Sequence, residues 1–356
     1  MSRRILLLIT DLEIGGTPTV VRELSTRLHA PPEVEVEVAC LSTWGPVADQ
    51  IRERGVAVTA FDARGGRELI RTIRRLRDLV RGRGIDTVVS FLVHANVVAA
   101  LASRRLTGRR FLQSIQTIQP RPRWHWLAQR WAQRYAERVV VPSNAIVRYA
   151  ASRSRISESK FVVIPNAIDP DSFPRVDVFT GTRVRAGYLG RLDPAKSPVL
   201  LLAALDSSGM QQAELHYFGD GPERARLESL GGGRKADRVF IHGAVARPQE
   251  ALRQMDVLWM PSSVEGFGLV LIEAMASGVP VVATAAGGVL DVVTADENGL
   301  LAENGQDWVR AFASSLWKLR DDPALRNKFI ENGLRTVREK FSWDVVLPQY
   351  RRLLGI

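Results

Sequence analysis

The chain has 356 residues, 46% hydrophobic and 24% charged, which excludes a disordered or low-complexity protein and exceeds what one core usually fills, so two domains are expected. Cys40 is the only cysteine, which excludes an intrachain disulfide framework and suits a cytoplasmic setting. The net charge of +11 sits wholly in the first half, where residues 1–182 hold 28 Lys or Arg against 17 Asp or Glu and residues 183–356 hold 21 of each; that asymmetry points to an anionic partner, whether a membrane surface, an acceptor or nucleic acid.

In chain order, Arg4 to Thr10 (RILLLIT) is a continuous apolar run, the mark of a buried parallel strand. It ends too soon for a signal peptide or an anchor. Gly15 and Gly16 follow, then a helical pattern over Thr19 to Leu28. Val34 to Leu41 and Val56 to Phe61 read as strands around a helix over Val47 to Arg54. Glu68 to Arg83 is a helix with an apolar face and an arginine-rich one, and Thr87 to Phe91 is the next strand. His94 stands just past it, on the strand edge where open α/β sheets bind ligands. The apolar run from Phe91 to Ala102 contains His94 and Asn96 and is too short to span a membrane. Trp124 to Glu137 sets Trp124, Leu127, Trp131 and Tyr135 at helical spacing among arginines, a pattern that suits a membrane interface or a core face. Strands over Arg138 to Val141 and Phe161 to Ile164 follow.

Pro165 to Thr182 is rich in Pro, Asp and Thr without periodicity and reads as a linker. The alternation then restarts: strands ending at Tyr188 to Gly190 and spanning Glu214 to Phe218, Val239 to His242, Val257 to Met260 and Val281 to Ala283, with helices between them. Helices over Gln306 to Leu319, Pro323 to Lys340 and Trp343 to Leu354 close the chain. Strand–helix alternation twice over predicts an α/β protein of two Rossmann-like domains, each with a parallel sheet, facing across a cleft.

Ser262 to Gly288 (SSVEGFGLVLIEAMASGVPVVATAAGG) is the most informative stretch. Glu265 lies in a turn with Gly266 and Gly268, and Glu273 follows on the helix that opens near Gly268. Glycine allows close backbone approach to a ligand, and the first amides of a helix have no internal partner, so the turn suits a diphosphate. Arg191 and Lys196, in GRLDPAKS, are two cations past a strand that can clamp the same group, or pair on the surface with Asp193. The five histidines and one cysteine show no metal-ligand spacing, and no Asp-x-Asp pair or Walker signature is present, so no metal is expected.

EGFGLVLIEAMASGVPVVAT resembles the glutamate, seven residues, glutamate signature of glycosyltransferase family 4, the retaining, metal-independent nucleotide-sugar transferases of GT-B fold. IPNAIDPDSF, GRLDPAKS, FGDGPERARLE, NGLLA and FSWDVV resemble further motifs of that family in the same order, so the likeness covers nearly the whole chain. It implies that Arg191 and Lys196 hold the donor diphosphate, Glu273 the ribose hydroxyls and Glu265 the donor sugar. The backbone at Phe267, Gly268 and Leu269 is expected to serve sugar and phosphate, and that near Val245 the base. From the first domain the resemblance assigns Gly16 to the phosphate and His94 to the sugar. Departures are Thr17-Pro18 after the two glycines, Ala167 for a glycine, and Ser197 where the family has glycine after the lysine.

The expected reaction is front-face, retaining transfer from a nucleotide-sugar donor to a glycan or lipid-linked acceptor, with no cofactor, at a cytoplasmic location, peripheral on the inner face of the cell membrane. The domains implied are 1–170 on the acceptor side, joined by a returning helix over 343–356, and 183–340 on the donor side, with 165–182 linking them. A nucleotide-sugar epimerase of the same fold and a basic nucleic-acid-binding module are the competing functions; no recognisable nucleic-acid fold supports the second.

Overall fold

A computed structural model describes residues 2–118, 122–207, 210–233, 236–303 and 307–356. It divides into two compact units, residues Met1–Asn166 with Val346–Ile356, and residues Ala167–Val345. The division falls inside the Pro165 to Thr182 stretch.

Unit 1 runs β1 (Arg3–Ile9), α1 (Gly16–Leu28), β2 (Val34–Cys40), α2 (Pro46–Glu53), β3 (Ala57–Ala60), α3 (Leu69–Gly82), β4 (Thr87–Phe91), α4 (Val93–Ser103), β5 (Arg110–Ser114), α5 (Trp124–Ala132), β6 (Arg138–Val141), α6 (Asn144–Ser154) and β7 (Phe161–Val163). Among the described residues its strands form one parallel sheet in the order β3-β2-β1-β4-β5-β6-β7. Ile5 to Ile9 are at most 1% exposed, because a strand covered by helices on both faces has no solvent side. Strand order reverses between β1 and β4, where Ile9 pairs with Phe91; the chain ends leaving these two strands diverge and open a crevice.

Unit 2 runs β8 (Val184–Leu189), α7 (Leu200–Leu205), β9 (Ala213–Phe218), α8 (Arg224–Gly231), β10 (Val239–Gly243), α9 (Pro248–Leu252), β11 (Val257–Met260), α10 (Leu269–Ala276), β12 (Val281–Thr284), β13 (Leu300–Ala302), α11 (Trp308–Asp321) and α12 (Pro323–Thr336). Its parallel sheet is ordered β10-β9-β8-β11-β12-β13, so the reversal lies between β8 and β11. Helix starts follow local chemistry: Asp307 and Asp322 accept from the amides of Arg310 and Leu325, and Pro323 occupies the first turn, where no amide donor is needed. The last helix, α13 (Trp343–Leu354), begins in unit 2 and from Val346 onward belongs to unit 1.

The structure adds to the sequence reading in three places. Strands β5 and β13 and helix α6 are absent from the sequence reading. Residues following the unit boundary are not an unattached linker: Ile168 and Phe173 are buried in the core of unit 2, and the Phe179 amide donates to Asp256 at 2.7 Å. On α5 the buried aromatic is Trp126, 7% exposed, while Trp124 and Leu127 are 51% and 63% exposed. The expected helix start at Gln306 lies outside the described residues. No helix among the described residues is long and apolar enough to cross a membrane.

Candidate functional site

In unit 2 the two strands at the switch point each carry half of the expected constellation. After β8 the chain turns through Gly190 and Arg191 into a single 3-10 turn, where Asp193 caps the amide of Ala195 at 3.0 Å. After β11 it enters the Ser262 to Gly268 turn. The two turns are tied together, since Ala195 O accepts from the Ser263 amide at 3.0 Å and from Ser263 Oγ at 2.9 Å. That tie brings Lys196 Nζ to 2.7 Å from Glu265 Oε2. The sequence reading assigned these two residues separately; the structure makes them an ion pair, with side chains 30% and 13% exposed.

Glu265 is held from every side. Its Oε2 accepts from Ser262 Oγ at 3.3 Å, its Oε1 from the Gly266 amide at 3.1 Å, and its carbonyl from the Gly288 amide at 2.9 Å. Gly287 lies against it with φ +53°, and a Cβ there would stand 2.2 Å from Glu265 O, so only glycine allows this approach. Ser262 itself is fixed through its carbonyl by Thr284 Oγ1. Ser262, Gly287 and Gly288 carry no role in the sequence reading, although a Gly-Gly pair past a strand is the available signal.

α10 opens at Gly268, whose φ of +91° is left-handed and whose added Cβ would meet Leu271 Cδ1 at 2.9 Å. Phe267 beside it is 3% exposed and packs edge-to-face on Phe341. Leu269 and, after β10, Val245 are half-buried against the same core. Glu273 is buried in α10 at 8% exposure. Arg191 is 72% exposed at its side chain and lies 3.6 Å from Asp193, the surface pair weighed above. Tyr188, buried below it, donates to Arg191 O at 2.6 Å; burial first, then the charges of Glu265 and Asp193, raise its pKa far above the ordinary value.

In unit 1, His94 stands exposed in the first turn of α4, after Leu92, whose φ of +72° is strained for a branched residue. It lines a cavity of about 250 Å³ at the β1/β4 switch point with Thr10, Asp11, Gln116 and His125. The rings of His94, Trp124 and His125 meet edge-on at 4.2 to 5.9 Å. Burial, then His94, lowers the pKa of His125. Gly16 is exposed at the start of α1 and does not line this cavity. A larger concavity of about 550 Å³ lies in unit 2, lined by Asp171, Arg175, Arg335, Arg338 and Glu339 among others, with no residue from the turns after β8 or β11. No cluster of three or more His, Cys, Asp or Glu that could hold a metal occurs among the described residues.

Two family models match the chain: Glycosyltransferase Family 4 over residues 14–172 and Glycosyl transferases group 1 over residues 172–336. Among curated relatives, a sulfoquinovosyl transferase of Arabidopsis thaliana is 29% identical over 73% of this chain and 55% of its own length. A D-inositol 3-phosphate glycosyltransferase of Xylanimonas cellulosilytica is 33% identical over 58% of this chain and 56% of its own. The matched part thus spans little more than half the length of these relatives. Among solved structures, Anabaena HepE in complex with UDP and glucose superposes with a TM-score of 0.85 at 19% identity, covering 99% of both chains. Sucrose-phosphate synthase from Thermosynechococcus elongatus does so with 0.79 at 21%, covering 99% of this chain and 100% of that one. These likenesses place both units in the GT-B class of fold.

Proposed function

The chain belongs to the family 4 glycosyltransferases, and from that premise we propose that it moves a hexose-type sugar from a nucleotide-diphosphate sugar to a hydroxyl of a glycan or lipid-linked acceptor, with retention. The observation that carries the reading is the Lys196–Glu265 pair at 2.7 Å, set at the switch point of unit 2 beside a glycine turn that opens a helix. A sugar diphosphate demands a cation for its phosphates and a carboxylate for its hydroxyls side by side, and this pair offers both. Anabaena HepE is solved in complex with UDP and with UDP-glucose, which supports a nucleotide donor of this kind.

In this reading Glu265, already oriented by Ser262 and Gly266, accepts from donor sugar hydroxyls. Lys196 turns part of its charge to the diphosphate, and Arg191, whose side chain reaches solvent past Asp193, joins it. Glu273 accepts from the ribose, the backbone of Phe267, Gly268 and Leu269 meets sugar and phosphate, and the backbone near Val245 meets the base. Gly16 approaches the phosphate and His94 the sugar. The bond from the anomeric carbon to the phosphate oxygen breaks as the acceptor oxygen bonds on the same face. The acceptor's proton passes to the departing phosphate oxygen, whose charge Arg191 and Lys196 offset. Charge neutralisation is assigned to protein groups and no metal is invoked. The work is proposed to occur in the cytoplasm, at an anionic membrane surface met by the basic unit 1.

Glu265→Ala and Lys196→Ala are each expected to lower turnover of a UDP-sugar by about two to three orders of magnitude. The thermal midpoint is expected to fall modestly with the chain still folded, because each variant removes one partner of a part-buried pair. Normal turnover in either variant, measured by release of nucleoside diphosphate with acceptor present, would remove the mechanism.

A further inference from the structure

The larger concavity of unit 2 contains none of the residues assigned to the transfer, and all of its described lining lies between Pro170 and Glu339, inside one compact unit. One wall is the segment that enters the unit. It makes a 3-10 turn over Pro170–Ser172, closed by Asp169 Oδ1 on the Asp171 amide at 3.2 Å, and leads on to Arg175. The other wall is the segment that leaves the unit: the last turn of α12, which carries Arg335, and the π-helical turn Val337–Phe341, which carries Arg338 and Glu339. The two segments are tied together, since the Ile168 amide donates to Phe341 O at 2.9 Å and the Trp343 amide to Ile168 O at 3.2 Å. The Val176 amide, donating to Ser277 O at 2.9 Å, fixes the first of them to the end of α10. The cavity is therefore preformed.

Three guanidinium groups line it, and their partners leave most of the charge unanswered. Arg338 Nη2 meets Asp171 Oδ1 at 3.4 Å, with side chains 67% and 86% exposed, and such a pair is worth little. Arg335 Nη2 donates to Asn332 Oδ1 at 2.6 Å, a neutral amide that offsets no charge. Arg175 has no hydrogen bond or ion pair among the described residues; its Nε lies 3.7 Å from where a Cβ on Gly278 would stand, beside the carboxyl end of α10. A planar guanidinium fork facing a concavity without a carboxylate partner suits an oxyanion. The rest of the lining refines the ligand. Glu339 pairs with none of the three arginines among the described residues, so it repels a bare anion and calls for a hydroxyl donor. Phe173 and Ala276 are 7% and 2% exposed and, with Leu334, offer apolar surface to a carbon skeleton. A volume of about 550 Å³ is that of a small-molecule site.

We propose that this concavity is a second ligand site, taking a small phosphate monoester that bears hydroxyl groups. Arg175 and Arg335 hold the phosphate, Glu339 accepts from a hydroxyl, and the apolar lining meets the carbon chain. The site stands apart from the donor turns and does not rest on the transferase reading.

Calorimetric titration of the full chain with glycerol 3-phosphate, inorganic phosphate and glycerol tests this, each with saturating UDP present to fill the donor turns. Glycerol 3-phosphate is expected to bind, inorganic phosphate more weakly and glycerol not at all. Arg175→Gln and Arg335→Gln should each weaken glycerol 3-phosphate about tenfold. Both side chains are exposed, and retained UDP binding shows that unit 2 is folded in each variant. Glu339→Gln should narrow the gap between the ester and the inorganic ion. Arg74→Glu with Arg104→Glu, in an arginine-lined concavity of unit 1, should leave the titration unchanged. Binding of the ester that survives the combined Arg175→Gln and Arg335→Gln change overturns the proposal, and so does inorganic phosphate binding as tightly as the ester. Absence of any binding, with Arg175→Gln lowering the thermal midpoint, would show instead that Arg175 serves only the carboxyl end of α10.

Discussion

His216 and His242 face each other on β9 and β10 with ring planes 7° apart, His216 Nδ1 lying 3.1 Å from His242 Nε2. One ring must donate and the other accept, so the pair holds together only while the acceptor nitrogen is unprotonated. Burial lowers the pKa of His242. It lowers that of His216 too, with His242 adding to it and Glu214 working against it. A depressed folded value means that the unfolded chain takes up the proton first, so this stability is present above the ordinary imidazole value of about 6.5 and is lost as pH falls through the folded value. The thermal midpoint of unit 2 is therefore expected to drop from about pH 7.5 to pH 5.5, and His242→Gln should flatten that drop. An identical slope in the variant would dismiss the pair as its source. Residue scale also explains one departure from the family pattern. Ser197, where the family has glycine, takes φ +51°, so the turn after Lys196 keeps its left-handed backbone at some strain.

At the scale of elements, α3 shows how a basic face is built. Ile73, Leu76 and Val80 face the core, which leaves arginines outward. Arg74 and Arg77 on α3 face Arg104 and Arg105 past the end of α4 around a concavity of about 460 Å³. Ile70 stands beside it, 66% exposed. Arg77 Nη2 donates to Leu101 O at 2.6 Å and its Nε to Ala102 O at 3.2 Å, capping the carbonyl end of α4. Burial, then the neighbouring arginines, lowers its pKa. Reversing the exposed three, Arg74→Glu with Arg104→Glu and Arg105→Glu, is expected to abolish co-flotation with vesicles containing anionic lipid, leaving Arg77 to hold α4. Equal recovery of the unaltered chain with and without anionic lipid would remove the membrane proposal. The two strands absent from the sequence reading have a shared cause. β5 carries Gln113 and Ser114, polar residues buried because the amides of Gln129 and Asn96 satisfy them, and β13 is three residues long; neither leaves a periodic apolar trace.

At the scale of the whole molecule, α13 returns residues 346–356 to unit 1. Val346, Tyr350 and Leu354 are buried, and Arg110 donates to the carbonyls of Leu354 and Leu353 at 2.8 and 3.1 Å. Ile168 and the segment at Phe341 to Trp343 exchange backbone hydrogen bonds, so the chain's entry into unit 2 and its exit run side by side. Truncation after Val345 removes three buried side chains, of which Val346 and Leu354 are worth about 1.5–3 kcal/mol each. Calorimetry should show the unit 1 transition lowered while UDP binding is retained. An unshifted transition would mean that the helix end contributes nothing to unit 1.

Sequence alone determined the class of each unit, since continuous apolar runs alternating with amphipathic helices can be buried in few other ways. It also carried the family, because the glutamate signature, the Arg-Lys segment and their order are properties of the chain itself. What only the tertiary structure decided is adjacency. Strand order, which no local pattern encodes, places Lys196 on Glu265 across residues nearly seventy positions apart. The same reversal in unit 1 sets Thr10 and Gln116 on one cavity with His94. Whether a buried polar atom has a partner depends on which distant segments meet there, and that is settled by packing.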